Sequence, residues 1–214
     1  METEAALDEL WAAVETFDSE RADLVLVSLL ADVPLSAAVT SVVLPFLAQL
    51  GDRWEDGRLS VAHEHFASNL VRRRLSALTP APRVGARISS GPVVLLACPP
   101  GERHDLVLLS FALMLGERGA RVRFLGADTP VPSIVQAART TSADAVVLSA
   151  TRETAFAAHT TSLSRLSVRH PVYVAGRGAT VRVALDTQAR RLSDNPVRAV
   201  ADLIGDLTRR VSGW

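Results

Sequence analysis

VVLLACPPGERHD, residues 93–105, joins an apolar run to a polar turn. The run 93–98 has the length and unbroken apolar character of a strand buried in a parallel sheet. The turn carries Glu102 and His104 just before an apolar helix over Leu106–Glu117, so we expect the imidazole at the carboxyl edge of the sheet, where open α/β folds bind ligands. Glu102 is expected behind the ring, an arrangement that raises the basicity of a metal-binding histidine. The alternative is an ordinary loop histidine beside a helix start.

Beyond residue 92, short apolar runs alternate with helical patterns. Strands separated by helices of about 10 to 15 residues indicate a parallel sheet with helices on both faces. We therefore predict a flavodoxin-like, Rossmann-type α/β domain. The predicted strands are 93–98, 122–125, 145–148 and 172–175, and the predicted helices are 106–117, 132–139, 153–168, a short helix after 178, and 196–210.

Residues 7–78 show helical periods and no alternating strand pattern. Pro34 suits the first turn of a helix, whereas Pro45 inside the same pattern predicts a kink. Gly57 is expected to end that helix, and Ser60 to cap the next one. Four helices with short connections predict an all-α four-helix bundle cap. The predicted helices are 7–17, 19–31, 34–54 and 60–78.

A stretch rich in proline, glycine and serine, residues 80–92, separates the two patterns. This composition is typical of a linker. We therefore predict a helical bundle cap at 1–79, a linker at 80–92 and a cofactor-binding α/β domain at 93–214. A hydrophobic content of 48% is enough to give the chain a substantial core.

The charged residues balance at 23 basic and 23 acidic, so no net field attracts nucleic acid or an acidic membrane. Every basic residue is arginine, which excludes Schiff-base chemistry with lysine. Arginine suits a ligand with many acidic or amide side arms, and a GC-rich genome is the simpler explanation of this composition. The single cysteine, Cys98, excludes an internal disulfide and any multi-cysteine metal site, as expected in a reducing compartment. The triplet Arg72-Arg73-Arg74 is interpreted as a solvated helix face rather than a phosphate-binding site.

The first nine residues are acidic and do not resemble a signal peptide. No unbroken apolar run approaches the roughly 18 to 20 residues that a membrane span needs. We therefore expect a cytoplasmic protein with no membrane partner. Direct DNA binding is not expected either, because the first helices are needed to complete the bundle and leave no separate helix-turn-helix unit.

Two further strand ends share the predicted sheet edge with the His104 turn. The third strand runs into Ser149-Ala150-Thr151, and the fourth runs into Gly176-Arg177-Gly178. Hydroxyl groups can line a crevice there, and glycines allow a thin wall. Each motif alone also has a common structural role, since Ser-x-Thr often caps a helix and Gly-x-Gly often forms a turn. Three such motifs at one edge favour a binding site for a long ligand.

These motifs resemble the pattern of cobalamin-binding domains, which have an acid, any residue, histidine, two residues and glycine, then Ser-x-Leu or Ser-x-Thr, and later Gly-Gly. Glu102 and His104 match the first part, Ser149 and Thr151 the second, and Gly176 the third. The resemblance implies that cobalamin binds base-off, with His104 as the lower axial ligand of cobalt. It also implies that the nucleotide tail lies beside Ser149 and Gly176.

The residues after the histidine depart from the family pattern. Val107 occupies the family's glycine position and is expected to crowd the tail channel. Ala175 and Arg177 flank Gly176 where a Gly-Gly pair is usual. Asp105 and Val107 complete the set of α/β-domain residues that the resemblance places around the cofactor.

A second resemblance lies in the bundle. Trp54, nine intervening residues and Glu64-His65 are similar to the helical cap of cobalamin-dependent photoreceptors of the CarH type. The resemblance implies that Trp54, Glu64 and His65 shelter an adenosyl group, the upper axial ligand. An aromatic side chain excludes water from a photolabile cobalt–carbon bond, and a carboxylate with an imidazole can bond ribose hydroxyls. The alternative is a core tryptophan near an exposed Glu-His pair.

Two features distinguish the chain from those repressors. Their DNA-binding helical domain is missing in front of the bundle. Glu55 replaces the histidine that captures cobalt after photolysis in those repressors. Either His63 or His65 substitutes for that histidine, or no such adduct forms. Stand-alone members of this kind resemble photocobilins, which hold a bilin beside cobalamin. Biliverdin would need arginines for its propionates, such as those at 72–74, while Cys98 is either a thioether site or simply a buried strand residue.

We therefore expect a sensory, non-enzymatic module that binds adenosylcobalamin, with biliverdin as the candidate second chromophore. Light is expected to change its self-association, as a homo-oligomer, or its contact with a protein partner. The main alternative is a corrinoid shuttle protein for a methyltransferase system, which shares the two-part plan but must open to release a methyl group. A plain cobalamin carrier is the third hypothesis.

Overall fold

The computed structural model divides the chain into two units, Met1–Arg83 and Val84–Trp214, and each is described by itself. Most of the predicted linker at 80–92 lies outside the described residues, which include only its last two positions. The residues that the structure describes are 2–31, 33–78 and 91–212.

Within its described residues, the first unit consists of four helical segments, in agreement with the predicted bundle. The third segment is composite, because a π-helical stretch joins two α-helical parts. The elements are α1 (Glu2–Glu15), α2 (Ser19–Leu30), α3 (Leu35–Ala38), the π-helical stretch Val39–Val43, α4 (Leu44–Glu55) and α5 (Val61–Ala77).

Polar caps fix the starts of α2 and α5. The Asp18 side chain accepts a hydrogen bond from the backbone N–H of Arg21 at 3.0 Å. Ser60 Oγ accepts one from the backbone N–H of His63, and Nδ1 of His63 accepts one from the backbone N–H of Ser60 at 3.2 Å, which completes a reciprocal cap. Gly57 has a φ of +73°, a left-handed conformation that glycine commonly adopts where a helix ends, so the chain turns between α4 and α5.

The chain remains helical through Pro45, just after the π-helical stretch. A proline inside a helix lacks an N–H, and its ring crowds the carbonyl four residues earlier, which here belongs to Ser41 in that stretch. A π-helical turn is wider than an α-helical one. The predicted perturbation at Pro45 therefore takes the form of a widened turn, and the helix continues to Glu55.

The composite helix Leu35–Glu55 bears on the expectation that no apolar run is long enough to span a membrane. Its 21 residues are long and apolar enough, by length and composition alone, to cross a membrane. A search for an unbroken apolar run misses it because small polar residues such as Thr40 and Ser41 interrupt the run. One such helix is weak evidence for a membrane span, since the core helix of a soluble protein has the same composition. Its residues buried in the core are Ala38, Val39, Val42, Val43, Phe46 and Leu50.

The second unit alternates strands and helices, as predicted. Its elements are β1 (Val93–Ala97), α6 (Leu106–Glu117), β2 (Arg121–Gly126), α7 (Val131–Thr140), β3 (Ala145–Ser149), α8 (Thr154–Ala157), α9 (Thr160–Arg169), β4 (Val172–Ala175), α10 (Val181–Thr187), β5 (Arg190–Arg191) and α11 (Pro196–Ser212). All strand pairs are parallel, in the order β2-β1-β3-β4-β5, which is the flavodoxin-like order. β1 and β3 are buried along their whole length, which explains their unbroken apolar sequences.

Two local features differ from the predicted elements. The single helix predicted at 153–168 is in fact α8 and α9, because His159 leaves the helical region with a φ of −126°. The Thr160 hydroxyl donates to the carbonyl of Ala157 at 3.0 Å, a local bond that competes with helix continuation. β5 is absent from the predicted strands because it has only two residues, both of them exposed arginines.

The sheet order brings the carboxyl ends of three strands together. β1 pairs with β3, with Ala97 opposite Leu148, and β3 pairs with β4, with Ser149 opposite Ala175. The segments that follow β1, β3 and β4 therefore leave neighbouring strands at one edge of the sheet. These are the three segments that the sequence motifs single out.

Candidate functional site

Glu102 is buried below the exposed ring of His104. Its side chain is 3% exposed, whereas that of His104 is 62% exposed. Oε1 of Glu102 accepts a hydrogen bond from the His104 backbone N–H at 2.8 Å and lies 2.6 Å from Nδ1 of the ring. Oε2 accepts from the backbone N–H and the hydroxyl of Thr151, at 2.5 and 2.6 Å. One carboxylate therefore ties the loop after β1 to the segment after β3.

The surroundings of Glu102 keep its carboxylate ionised. Burial by itself raises the pKa, but hydrogen bonds from His104 and Thr151 outweigh burial and lower the pKa from its ordinary 4.5 to about 2. In a neutral ring, a carboxylate at Nδ1 favours the tautomer that has its proton on Nδ1 and leaves on Nε2 the lone pair that a metal ligand needs. The arrangement can present a neutral imidazole to a metal.

Asp128, in the turn after β2, anchors the His104 loop from the other side. Its Oδ1 accepts a hydrogen bond from the Gly101 backbone N–H at 2.8 Å, and its own N–H donates to the Glu102 carbonyl at 2.8 Å. Asp128 has a φ of +48°, a conformation that aspartate tolerates better than most residues. The sequence motifs did not include it, although an acid at another strand end of the same sheet was a usable signal.

Gly176 and Gly178 hold the segment after β4 against the segment after β3. Gly176 has a φ of +85°, and a Cβ there would lie 2.5 Å from the carbonyl oxygen of Ala150 and 3.1 Å from Oγ of Ser149. A Cβ at Gly178 would lie 2.5 Å from the backbone carbonyl of Arg152. Both positions need glycine because Cβ atoms do not approach backbone atoms so closely. The family has a Gly-Gly pair where this chain has Gly176-Arg177. The closely packed glycines here are instead Gly176 and Gly178, one on each side of the arginine.

A cleft of about 310 Å³ opens beside the His104 loop. Ser149 and Gly176 do not line it, and Ser149 is only 8% exposed. The predicted acid, histidine and threonine thus meet at the cleft, while the predicted serine and glycine lie in the packed wall between β3 and β4. The residues that line the cleft are Pro100, Gly101, Glu102, Arg103, His104, Thr151, Arg152, Thr154 and Ala155.

The residues around the histidine loop differ in exposure. Asp105 is buried at the start of α6, whereas Val107, on the first turn of that helix, is 44% exposed. Cys98 is fully buried. Burial first, and then the negative charges of Asp105 and Glu102, raise the pKa of the Cys98 thiol to about 12. The thiol therefore stays protonated and unreactive.

The predicted residues of the helical unit lie near its surface. Trp54, on the last turn of α4, is 42% exposed, whereas Trp11 in the core of the same unit is 5% exposed. Glu64 and His65 form a pair, with Nδ1 of His65 2.7 Å from Glu64 Oε2, and the Ser68 hydroxyl donates to Glu64 Oε1 at 2.6 Å. A core role therefore does not account for Trp54.

His63 has a structural role that the sequence patterns did not indicate. Besides its part in the cap of α5, its ring stacks on Phe17, with centroids 4.3 Å apart. His65 is more accessible, with a side chain that is 71% exposed. Glu55 occupies the position of the cobalt-capturing histidine, and His63 and His65 are its two candidate substitutes. Of these two, His65 is the more accessible to a ligand.

Two family models, both described as B12 binding domain, match residues 6–79 and 92–194. The first match falls on the helical unit and the second on the α/β unit. The chain belongs to the B12-binding domain family. It is a cobalamin-binding protein, and the resemblance that the motifs indicated is confirmed.

This cobalamin-binding protein is similar to the HTH-type transcriptional repressor CarH of Myxococcus xanthus, at 36% identity over 176 residues. That alignment covers 80% of this chain and 58% of CarH, so the chain spans less than two thirds of the relative. It is also similar to a dimethylamine corrinoid protein of Methanosarcina barkeri, at 26% identity over 158 residues, 72% of this chain and 74% of that protein.

A solved structure of the Methanosarcina barkeri monomethylamine corrinoid protein matches the fold of this cobalamin-binding protein. The TM-score is 0.74 at 17% sequence identity, and the match covers 95% of this chain and 99% of that one. At this identity the likeness shows the fold alone. It confirms the predicted order of domains, a helical bundle followed by a parallel α/β domain.

Proposed function

We propose that this protein is a light-sensing module that holds adenosylcobalamin and responds to its photolysis with a change in self-association or in contact with a protein partner. The observation that carries the proposal is Trp54, which is 42% exposed in a unit whose core buries its other described tryptophan, Trp11. Its spacing from Glu64-His65 is that of the photoreceptor cap. When bound, adenosylcobalamin supplies a cobalt–carbon bond that visible light cleaves.

The α/β unit fits a cobalamin bound without its own base. His104 is exposed and held through Nδ1 by a buried carboxylate, so Nε2 is suited to bind cobalt. Thr151 fixes that carboxylate by two hydrogen bonds. Gly176 lets the segment after β4 pack directly against Ser149 and Ala150. These residues bind and orient, and none of them is assigned a bond-breaking role.

Trp54, Glu64 and His65 are assigned to the upper axial group. The exposed indole of Trp54 can cover an adenosyl group and exclude water from it. The Glu64–His65 pair offers an acceptor and a donor suited to ribose hydroxyls. A methyl group has neither the apolar surface nor the hydroxyls to use these three residues.

The test is the absorption spectrum of the protein loaded with adenosylcobalamin, recorded in the dark and after green light. We expect a stable dark spectrum, a change upon illumination, and an accompanying change in elution volume in size-exclusion chromatography or in partner binding. A loaded protein whose spectrum is unaltered by green light would contradict the proposal.

A corrinoid shuttle protein for a methyltransferase is the second candidate function, favoured by the 26% identity to the dimethylamine corrinoid protein. Both functions use the same lower-ligand site, so the upper group distinguishes them. A shuttle has to release a methyl group to a partner enzyme and does not need to retain an adenosyl group. Preference for methylcobalamin over adenosylcobalamin would favour the shuttle.

Replacing Trp54 by alanine is expected to weaken retention of adenosylcobalamin at least about tenfold, because the substitution removes most of a large aromatic contact. Retention of methylcobalamin should change little, since the smaller ligand does not fill the same space. Dissociation rates in the dark, followed by the visible spectrum after dilution, measure both effects. Leu24→Ala is the matched control, since Leu24 is another exposed apolar residue of the helical unit at 72%. Equal losses for the two cobalamins would support the shuttle instead.

We propose a cytoplasmic location and no direct contact with DNA. Arg73 and Arg74 both form ion pairs with Asp23, at 3.1 and 3.2 Å, so this part of the basic triplet is engaged within the bundle. The repressor activity named for CarH is not carried over to a chain that spans 58% of it.

Biliverdin, if it is the second chromophore, should bind without a covalent link. Cys98 is fully buried and its thiol pKa is about 12, so it is a poor nucleophile for thioether formation. Co-expression with a biliverdin source followed by denaturation in acid urea is expected to release any red-absorbing pigment. Pigment that stays with the denatured wild-type chain and is released from Cys98→Ala would overturn this prediction, and absence of pigment would leave a cobalamin-only sensor.

A further inference from the structure

Three arginines follow the three neighbouring strands whose ends form the site. Arg103 comes after β1, Arg152 after β3 and Arg177 after β4, and all three are exposed. Arg103 and Arg152 line the cleft beside His104. The backbone next to Arg177 packs against Arg152, because a Cβ at Gly178 would lie 2.5 Å from the Arg152 carbonyl. Arg177 therefore lies near Arg152.

The charges of these arginines are not neutralised by acids within the described part of the chain. None of the ion pairs among described residues includes Arg103, Arg152 or Arg177. The one carboxylate that lines the cleft, Glu102, is occupied by His104 and Thr151. Many other exposed arginines of this unit do have acidic partners: Arg182, Arg190, Arg191, Arg198 and Arg209.

We propose that Arg103, Arg152 and Arg177 bind the phosphodiester of the cobalamin nucleotide tail. The side arms of the corrin ring are amides, and the tail phosphodiester is the ionised acid of the cofactor. Guanidinium groups bind phosphate by paired, charge-assisted hydrogen bonds. The proposal rests on the proposed binding mode, in which His104 displaces the tail base from cobalt and the tail enters at this edge. The three arginines then select complete cobalamin over cobinamide, which lacks the phosphate and the nucleotide.

The test compares aquacobalamin with diaquacobinamide by spectral titration of the full chain. Arg103→Gln and Arg152→Gln are each expected to weaken aquacobalamin binding about tenfold, as expected for loss of a charge-assisted hydrogen bond. Arg177→Gln should act in the same direction. Diaquacobinamide binding should be unchanged in all three variants, because it retains the cobalt that His104 binds. Arg139→Gln is the control, since Arg139 is an exposed arginine at the far end of α7.

Added salt separates a phosphate site from a packing effect. Raising the ionic strength, or adding inorganic phosphate, should weaken aquacobalamin binding and leave diaquacobinamide binding unchanged. Equal losses for both corrinoids, no loss for either, or a similar loss in Arg139→Gln would overturn the assignment. A protein that shows this selectivity but no response to green light would keep the arginine site and refute the light-sensing function. A base-on spectrum in the wild type would refute the binding mode itself.

Discussion

Replacing His104 by alanine should weaken cobalamin binding by roughly 100-fold or more and convert any remaining bound cofactor to the base-on form. The substitution removes the imidazole that Glu102 orients at 2.6 Å, and no other described histidine lies in the cleft. The fold should persist, because Glu102 retains the backbone N–H of residue 104 and both hydrogen bonds from Thr151. Spectral titration with aquacobalamin measures both the affinity and the form bound.

The matched control is His159→Ala, which removes a histidine of the same unit at the start of α9. It should bind cobalamin as the wild type does. Labelling the histidines with nitrogen-15 shows directly which nitrogen binds cobalt. If a histidine nitrogen is the ligand, the label changes the nitrogen splitting in the electron paramagnetic resonance spectrum of the reduced, cobalt(II) cofactor. An unlabelled splitting pattern in labelled wild-type protein would show that the tail base, and not His104, binds cobalt.

Strands β1 to β4 and their parallel arrangement could be predicted because sheet burial leaves a strong local signature. β1 and β3 are fully buried and read as unbroken apolar runs, and the helices between the strands fix a parallel arrangement. The His104 loop was placed correctly at the edge by the same argument. The bond between Glu102 and Thr151 was not foreseen, because it joins residues 49 positions apart and depends on the register of β1 against β3.

Other features depend on contacts that a local pattern does not encode. Asp128 holds the His104 loop through its carboxylate and its backbone N–H, and although an acid at that strand end was visible in the sequence, its partners were not. The break between α8 and α9 lies at His159, whose φ of −126° is not helical, beside a local bond from the Thr160 hydroxyl to the Ala157 carbonyl. Trp54 illustrates the opposite case, since its spacing from Glu64 was visible in the sequence but its 42% exposure, which separates a ligand role from a core role, required the structure.

Glu102→Gln is expected to cost about 3 kcal/mol of unfolding free energy at neutral pH, which is the linkage value of a carboxyl pKa lowered from 4.5 to about 2. Glu102 is 3% exposed and accepts hydrogen bonds at both oxygens, from His104 and from Thr151. A glutamine keeps one acceptor oxygen and turns its amide donors toward groups that also donate. Urea unfolding of the apo-protein, followed by circular dichroism, measures the loss.

The same carboxylate makes the stability of the α/β unit dependent on acid. Because the pKa of Glu102 is lower in the folded state, its contribution is complete above pH 4.5 and is lost as the pH falls toward about 2. The difference between wild type and Glu102→Gln should therefore narrow as unfolding is measured at successively lower pH below 4.5. Asp206 also contributes to the pH dependence of wild-type stability. Burial raises its pKa, but Arg190 and Arg209 outweigh burial and lower it. Asp206 is present in both proteins, so the comparison cancels its contribution, and a difference that stays constant down to pH 3 would show that the Glu102 carboxylate is not stabilised as described.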